Sequence, residues 1–128
     1  MATDENETHP HIRRAVPNAQ VPGEAAMSAN RDFYGALGFR EAMNMGWIMT
    51  LVSPSDPTAQ LQFFTHEATA PVVPDISVEV DDVDAAYEAM RAAGAEIVHD
   101  IRDEEWGVRR FFVRDPQGRV VNVLTHVR

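Results

Sequence analysis

The sequence predicts an α+β fold built from two copies of one β-α-β-β-β unit, and three observations support that prediction. Leu61 to His66 and, sixty positions later, Val121 to His126 both alternate like half-buried strands, carry an amide at the second position and end in Thr-His. Gly38-Phe39 and Gly94-Ala95 each end a helical pattern and open a strand, 56 residues apart. The predicted elements also follow in the same order in both halves. We therefore expect a diverged duplication, with loops of unequal length between the copies.

The first copy is predicted between residues 12 and 66. A strand is expected from Arg13 to Val21. A helix follows over Glu24 to Leu37, where apolar side chains recur at three- and four-residue steps before Gly38 ends it. Three strands complete the copy, at Phe39 to Met45, Trp47 to Ser53 and Thr58 to His66.

The second copy is predicted between residues 75 and 128, after a proline-containing linker over residues 67–74. The pattern Ile-Ser-Val-Glu-Val predicts a strand over Ile76 to Val80, and Asp81 or Asp82 caps the helix that follows, Val83 to Ala93. The remaining strands are expected at Ala95 to Ile101, Val108 to Arg114 and Val120 to Val127. Residues 1–11 are acidic and polar, and we expect a mobile tail before a single domain over residues 12–128.

The composition excludes several kinds of partner. Eleven basic and twenty acidic residues give a formal net charge of −9, and the sequence holds no cysteine. The acidity makes nucleic acid and anionic membranes poor partners, because the long-range electrostatic interaction is repulsive. No apolar run is long enough to span a bilayer and no secretory signal is present, so we expect a cytoplasmic protein without disulfides or thiolate metal sites.

Four segments in this order resemble the vicinal-oxygen-chelate superfamily, the glyoxalase/bleomycin-resistance/dioxygenase group. They are RDFYGALGF at residues 31–39, VDDVDAAY at 80–87, AAGA at 92–95 and WGVRRFFVRDPQG at 106–118. The resemblance covers residues from about 13 to 128. It implies two modules forming a curved mixed sheet around a cupped pocket, and a homodimer in which both chains shape each site.

The same resemblance implies where a metal ion is held in metal-dependent members. There, a His or Gln on the first strand of each module and a Glu on the last strand bind a divalent ion. The last-strand positions fall here on Gln62 and Asn122, and the first-strand positions fall within Asn18 to Gln20 and at Ser77 or Glu79. Neutral amides are weak ligands for such ions. The sequence therefore predicts that the metal site is lost and that no cofactor is bound.

Strand parity suggests which residues line a pocket instead. It places Gln62, Phe64 and His66 on one face of their strand, and Asn122, Leu124 and His126 on the matching face of the other. Two amides and two apolar side chains suit a neutral or polar organic ligand. Trp47 and Trp106 are further candidate ligand-binding residues, as walls of the cavity or as ordinary packing. Arg109 and Arg110 point to opposite faces, so only one of them can face the pocket.

The function we expect is that of a metal-free small-molecule-binding protein, one that sequesters an organic or antibiotic-like ligand at a dimer interface. The alternative is a metal-dependent lyase, isomerase or dioxygenase that recruits unorthodox ligands such as His66, His126 or Glu79. A third reading is a structural or regulatory module with a vestigial pocket. No catalytic residue is assigned by the sequence.

Overall fold

The computed structural model describes residues 11–127, so the predicted acidic tail lies outside the described residues except for His11. The predicted element order is confirmed: a strand, a helix and three further strands are followed by the same series of elements again. In chain order the elements are β1 Ile12–Gln20, α1 Glu24–Leu37, β2 Arg40–Asn44, β3 Ile48–Val52, β4 Gln60–Phe64, β5 Ile76–Val80, α2 Val83–Ala92, β6 Ile97–Asp103, β7 Val108–Arg114 and β8 Val120–His126.

The described chain divides into two compact units. The first unit is Val16–Val73, and the second unit joins residues 11–15 to residues 74–127. Strand order is β2-β3-β4-β1 in the first unit and β5-β8-β7-β6 in the second. In each unit the first strand is parallel to the last one, β1 to β4 and β5 to β8, and the other pairs are antiparallel. Each unit therefore combines one parallel and two antiparallel strand pairs, in the same pattern in both units.

The strand register shows which positions of the two units are equivalent. In the first unit Asn18 lies opposite Gln62, and Gln20 lies opposite Phe64. In the second unit Ser77 lies opposite Asn122, and Glu79 lies opposite Leu124. Strand pairing therefore gives Gln62 and Asn122 equivalent positions in the two units. It also identifies Asn18 and Ser77 as their neighbours on the first strand of each unit.

Each unit has an apolar core between its helix and one face of its strands. In the first unit Met27 packs with Met49 and Phe63, and in the second Val83 packs with Phe111 and Val123. Burying a side chain of this size contributes about 1.5–3 kcal/mol, so these layers are the main source of stability. Successive strand residues point to opposite faces, so the polar residues between them lie on the face away from the helix.

The helix ends follow the predicted signals. Asp82, rather than Asp81, caps α2, and its carboxylate accepts a hydrogen bond from the amide of Ala85 at 3.0 Å. Gly38 and Gly94 have φ angles of 123° and 79°, a region that glycine enters without the steric cost of a Cβ. Among the described residues, no helix combines the length and the apolar run that a membrane crossing requires.

Candidate functional site

The face of each unit that points away from its helix, here called the polar face, carries the predicted amides. In the first unit Gln62 is buried, with 8% of its surface exposed, and its Nε2 donates a hydrogen bond to Thr50 Oγ1 at 3.0 Å. Asn18 lies beside Gln62 on β1. This arrangement places two carboxamides and a hydroxyl next to one another.

In the second unit Asn122 is 6% exposed, and its Nδ2 donates to Ser77 Oγ at 3.1 Å. Its Oδ1 is buried and has no hydrogen-bond partner among the described residues. A buried acceptor without a donor costs about 1–3 kcal/mol. The polar face of the second unit therefore presents an acceptor that a bound donor would satisfy.

Glu79 forms a charged cluster on the same face. Its Oε1 accepts from Arg14 Nε at 2.6 Å, and its Oε2 lies 2.9 Å from His126 Nδ1. Partial burial favours the neutral form of Glu79, but the hydrogen bonds from His126 and Arg14 outweigh burial and lower its pKa. Glu79 therefore stays ionised, and it orients the exposed imidazole of His126.

A second charged cluster lies on β6 and β7 and in the turn between them. The side chain of Glu104 is fully buried, and its Oε2 lies 2.7 Å from Arg110 Nε and 3.0 Å from His99 Nε2. Arg102 Nε lies 3.0 Å from the other carboxylate oxygen. The acidic run before Trp106 is thus not wholly a solvated loop, because Glu104 turns inward to neutralise a buried arginine.

The register also decides between the two neighbouring arginines. Arg110 lies opposite Leu124, on the polar face, and is 2% exposed. Arg109 points to the other face and pairs with Asp84 of α2 at 2.9 Å. Sequence parity allowed either residue on the polar face, and the strand pairing identifies it as Arg110.

The other predicted ligand-binding residues lie close to these clusters. Phe64 and Leu124 are both buried at equivalent positions of β4 and β8. The Trp47 ring lies 5.9 Å from Phe64 and 6.2 Å from His66, and Trp106 lies under the Arg110 guanidinium at 4.9 Å. Each tryptophan therefore packs against polar-face residues of its own unit.

The residues at the implied metal positions do not fit a divalent ion. Asn18, Gln62, Ser77 and Asn122 offer only neutral oxygens and no imidazole, and so supply no charge to offset dehydration of the ion. Within residues 11–127, no three His, Asp or Glu side chains are grouped as a metal site requires.

A cavity opens in each unit of the described chain. In the first unit a cavity of about 400 Å³ lies at the carboxyl ends of β1 and β4, and its polar lining includes Gln20, His66 and Glu67. In the second unit a cavity of about 640 Å³ lies on the helix-covered face. Its location was not predicted from the sequence, which placed the pocket only on the amide face.

Sequence reasoning missed several residues of these clusters, among them Glu104 and Arg14. Glu104 stands within a run of acidic residues, which ordinarily indicates a solvated segment. Arg14 lies in a strand with a neighbouring basic residue, and nothing in its pattern indicates that it pairs with Glu79. Only the strand neighbours that the fold provides reveal either partner.

A sequence model of the Glyoxalase/Bleomycin resistance protein/Dioxygenase superfamily matches residues 25–123. Among curated proteins, none matches this sequence. Several solved structures are similar in fold. Their sequence identities are so low that the similarity shows the fold and nothing more.

Three of these structures illustrate the likeness. A protein described as an NAD-dependent benzaldehyde dehydrogenase from Legionella pneumophila has a TM-score of 0.68 at 14% identity, over 88% of this chain and 98% of that one. Methylmalonyl-CoA epimerase from Mycobacterium tuberculosis has a TM-score of 0.62 at 17% identity, over 91% and 88%. A glyoxalase/bleomycin resistance protein/dioxygenase superfamily member from Vibrio splendidus has a TM-score of 0.59 at 15% identity, over 91% and 100%.

Proposed function

Since the chain belongs to the glyoxalase/bleomycin resistance protein/dioxygenase superfamily, we propose that it binds a small polar organic molecule on its polar face without a metal ion. The observation that carries this proposal is the chemistry at the four positions where the family implies ligands. Three carboxamides and one hydroxyl stand there. Side chains of this kind orient a neutral ligand by directed hydrogen bonds.

The unpartnered acceptor of Asn122 specifies one property of the ligand. Because Asn122 Oδ1 is buried without a donor among the described residues, a ligand that brings an N–H or O–H group relieves its desolvation cost. The buried Phe112 lies opposite Asn122 on β7 and supplies an apolar surface beside it. We therefore propose a ligand with at least one donor attached to an apolar or planar body.

The polar cavity of the first unit supports the same proposal. It is lined by Gln20 and His66, whose side chains lie at the ends of β1 and β4, and by the backbone and side chains that follow β4. A volume of about 400 Å³ lies within the range of pockets that hold small organic ligands.

We also propose that the protein sequesters its ligand as a homodimer. The helix α1 leaves Phe33 64% and Leu37 70% exposed, one turn apart on the same side. Contiguous exposed apolar surface is a feature of faces that associate, and this pair supports such a face on α1. Sedimentation at several protein concentrations tests this part: a dimer is expected, and a monomer at all concentrations would contradict it.

Binding to the polar face is tested by NMR titration of the full chain with two sets of fragments. One set carries hydroxyl or amide donors, and the matched set replaces the donors with methyl groups. The donor set is expected to shift the side-chain amide signals of Gln62 or Asn122, and the same shifts are expected in the presence of chelator. Asn122→Ala and Gln62→Ala should weaken binding by about tenfold, the effect of losing one or two hydrogen bonds in a buried site.

The control is Asn44→Ala, which removes an exposed carboxamide at the end of β2 and should leave binding unchanged. Equal binding of both fragment sets, or binding that requires an added divalent ion, would contradict the proposal.

A further inference from the structure

The side of α1 that points away from the strands, here called the outer face, is apolar. Five of the seven exposed residues of this helix carry apolar side chains: Ala25, Ala29, Phe33, Ala36 and Leu37. The opposite side of the helix is also apolar, because it packs Met27 into the core of the first unit. Apolar side chains on both sides are typical of a helix that is covered on both sides.

The second unit shows that the fold itself does not require such a face. The C-terminal ends of the two helices are equivalent in hydrogen bonding: the amide of Phe39 donates to the carbonyl of Tyr34 at 3.0 Å, and the amide of Ala95 donates to the carbonyl of Met90 at 3.1 Å. Positions of α1 and α2 therefore correspond at an offset of 56 residues.

The exposed side of α2 is charged. Three of its five exposed residues carry a charge, namely Asp84, Glu88 and Arg91. The corresponding positions of α1 carry one charge, at Asp32. Charged side chains keep the exposed side of α2 in contact with water, so the apolar outer face belongs to α1 alone among the two helices of the described chain.

Four residues of the outer face form a ridge that is ordered by size. Ala25, Ala29, Phe33 and Leu37 follow one another at four-residue steps, so the small side chains stand in the first half of the helix and the large ones in the second. This order is self-complementary. When a second copy packs antiparallel, each Phe33 lies on Ala29 of the other copy, and each Leu37 lies on Ala25 of the other copy. A parallel pair would instead place large side chains against large ones.

The charges at the two ends of α1 favour the same partner in the same orientation. Glu24 begins the helix and Arg40 follows its end, and both are exposed. Within residues 11–127 neither forms an ion pair, and Arg40 Nη1 donates to the backbone carbonyl of Phe39 at 2.9 Å. An antiparallel pair brings Glu24 of each copy to Arg40 of the other, and it places opposite ends of the helix dipoles side by side.

Building on the homodimer proposed above, we infer that two copies of the chain associate through an isologous, antiparallel contact between the outer faces of their α1 helices. Residues 1–10 include three acidic side chains and few apolar ones, which makes that segment a poor cover for an apolar ridge. Within the first unit the outer face lies opposite the polar face, so the contact leaves the polar face open. Two helices of 14 residues bury less area than a standard interface of about 1,600 Å², so we expect a dissociation constant in the micromolar range.

The contact is tested first by sedimentation of the full chain and of two matched variants over a range of protein concentrations. Ala29→Glu places a charge against Phe33 of the other copy and should weaken dimerisation by about tenfold or more. Ala85→Glu introduces the same charge at the corresponding exposed position of α2 and should leave dimerisation unchanged. Both substitutions are at exposed positions, and circular dichroism checks that both variants are folded.

Charge reversal tests the antiparallel orientation. Glu24→Arg and Arg40→Glu should each weaken dimerisation by about tenfold, because each reversal acts at both ends of the helix pair. The double variant should recover the native affinity, since the reversed charges again face each other. Glu88→Arg on α2 is the control and should have no effect.

A sample that mixes isotope-labelled and unlabelled chains locates the contact directly. Leu37 and Ala25 lie about 18 Å apart along one helix, too far for a nuclear Overhauser effect within a chain. An effect between their methyl groups across labelled and unlabelled chains is therefore expected only from the antiparallel pair.

The possible failures separate this inference from the homodimer itself. A monomer at all concentrations would contradict both. A dimer that Ala29→Glu leaves intact would keep the homodimer and overturn the α1 contact, and a double charge reversal without recovery would overturn the antiparallel orientation. Contacts from residues 1–10 to Phe33 in the native chain would assign the outer face to the chain's own tail.

Discussion

Opposite Phe64 the first unit places Ile48, whereas at the equivalent position opposite Leu124 the second unit places Arg110. Beside Ile48 the polar face is neutral. Around Arg110 it carries the buried carboxylate of Glu104 and the imidazole of His99. The same strand position thus supports an apolar contact in one unit and a buried ion cluster in the other.

The two units differ in the same sense elsewhere. Gln20 of β1 corresponds to Glu79 of β5, so a neutral amide in the first unit is matched by a carboxylate in the second. On the helix-covered face the aromatic rings stand at different positions, because Phe63 of the first unit is matched by Val123, whereas Met49 is matched by Phe111. Backbone register fixes where a side chain points but not its chemistry, so two copies of one fold can carry different sites.

The largest effect that separates the units is expected at Glu104. Glu104→Ala leaves the 97%-buried side chain of Arg110 without its carboxylate, and should lower the free energy of unfolding by about 3–5 kcal/mol. Urea unfolding followed by circular dichroism measures the loss. Glu105→Ala, at the exposed neighbouring position, should change stability by less than about 0.5 kcal/mol. Equal losses for the two variants would mean that the cluster does not hold Arg110.

A smaller difference is expected between the two amides. Gln62→Leu removes the donor to the buried Thr50 and should cost about 1–3 kcal/mol, because that hydroxyl is left in the core without the amide. Asn122→Leu also removes a bond, to Ser77, but it eliminates a buried acceptor that has no partner among the described residues. Its cost should therefore be within about 1 kcal/mol. A larger loss for Asn122→Leu than for Gln62→Leu would contradict the assigned hydrogen bonding.

The smallest effect concerns pH. Partial burial acts to raise the pKa of Glu79, but the hydrogen bonds from His126 and Arg14 lower it below its usual value of 4.5. A carboxyl group whose pKa is lowered by folding adds stability that is complete above 4.5 and is lost as pH falls through the folded-state pKa. Glu79→Gln, which gives the second unit the amide found at Gln20, should remove this dependence.

Unfolding free energies of the native chain and of Glu79→Gln, measured from about pH 6 down to about pH 3, test this expectation. The native chain should be the more stable at the upper end, and the difference should shrink towards the lower end. Asp32→Asn, at an exposed position of α1, serves as the control. A difference that grows on acidification would contradict the assigned direction of the shift.

The regular elements were predictable because their signals are local. The helix α1 begins at Glu24 and ends at Leu37, as its apolar spacing and Gly38 predict. The strands β5 and β7 also have their predicted bounds. Strands next to loops differ by one or two residues, as at β6, which begins at Ile97 rather than Ala95 and continues past Ile101 to Asp103.

The charged clusters and the helix-side cavity were not predictable, because each depends on contacts between distant segments. Glu104 and His99 become neighbours only through the turn from β6 to β7, and Arg14 meets Glu79 only because β1 begins beside the end of β5. The cavity does have a signal in the sequence, since Met90 and Ala95 replace Tyr34 and Phe39 at a constant offset of 56 residues. That signal can be interpreted only when the C-terminal ends of α1 and α2 are known to be equivalent.

We propose that neutral side chains stand at the positions of the family's metal ligands, so that the protein holds no divalent ion tightly. The most direct test is the metal content of the full chain and of a variant with His9→Ala and His11→Ala, measured by inductively coupled plasma mass spectrometry. Both proteins are incubated with Ni²⁺, Zn²⁺, Mn²⁺ and anaerobic Fe²⁺ and then dialysed exhaustively. Far less than one ion per chain is expected in the variant. About one tightly held ion per chain in that variant would contradict it.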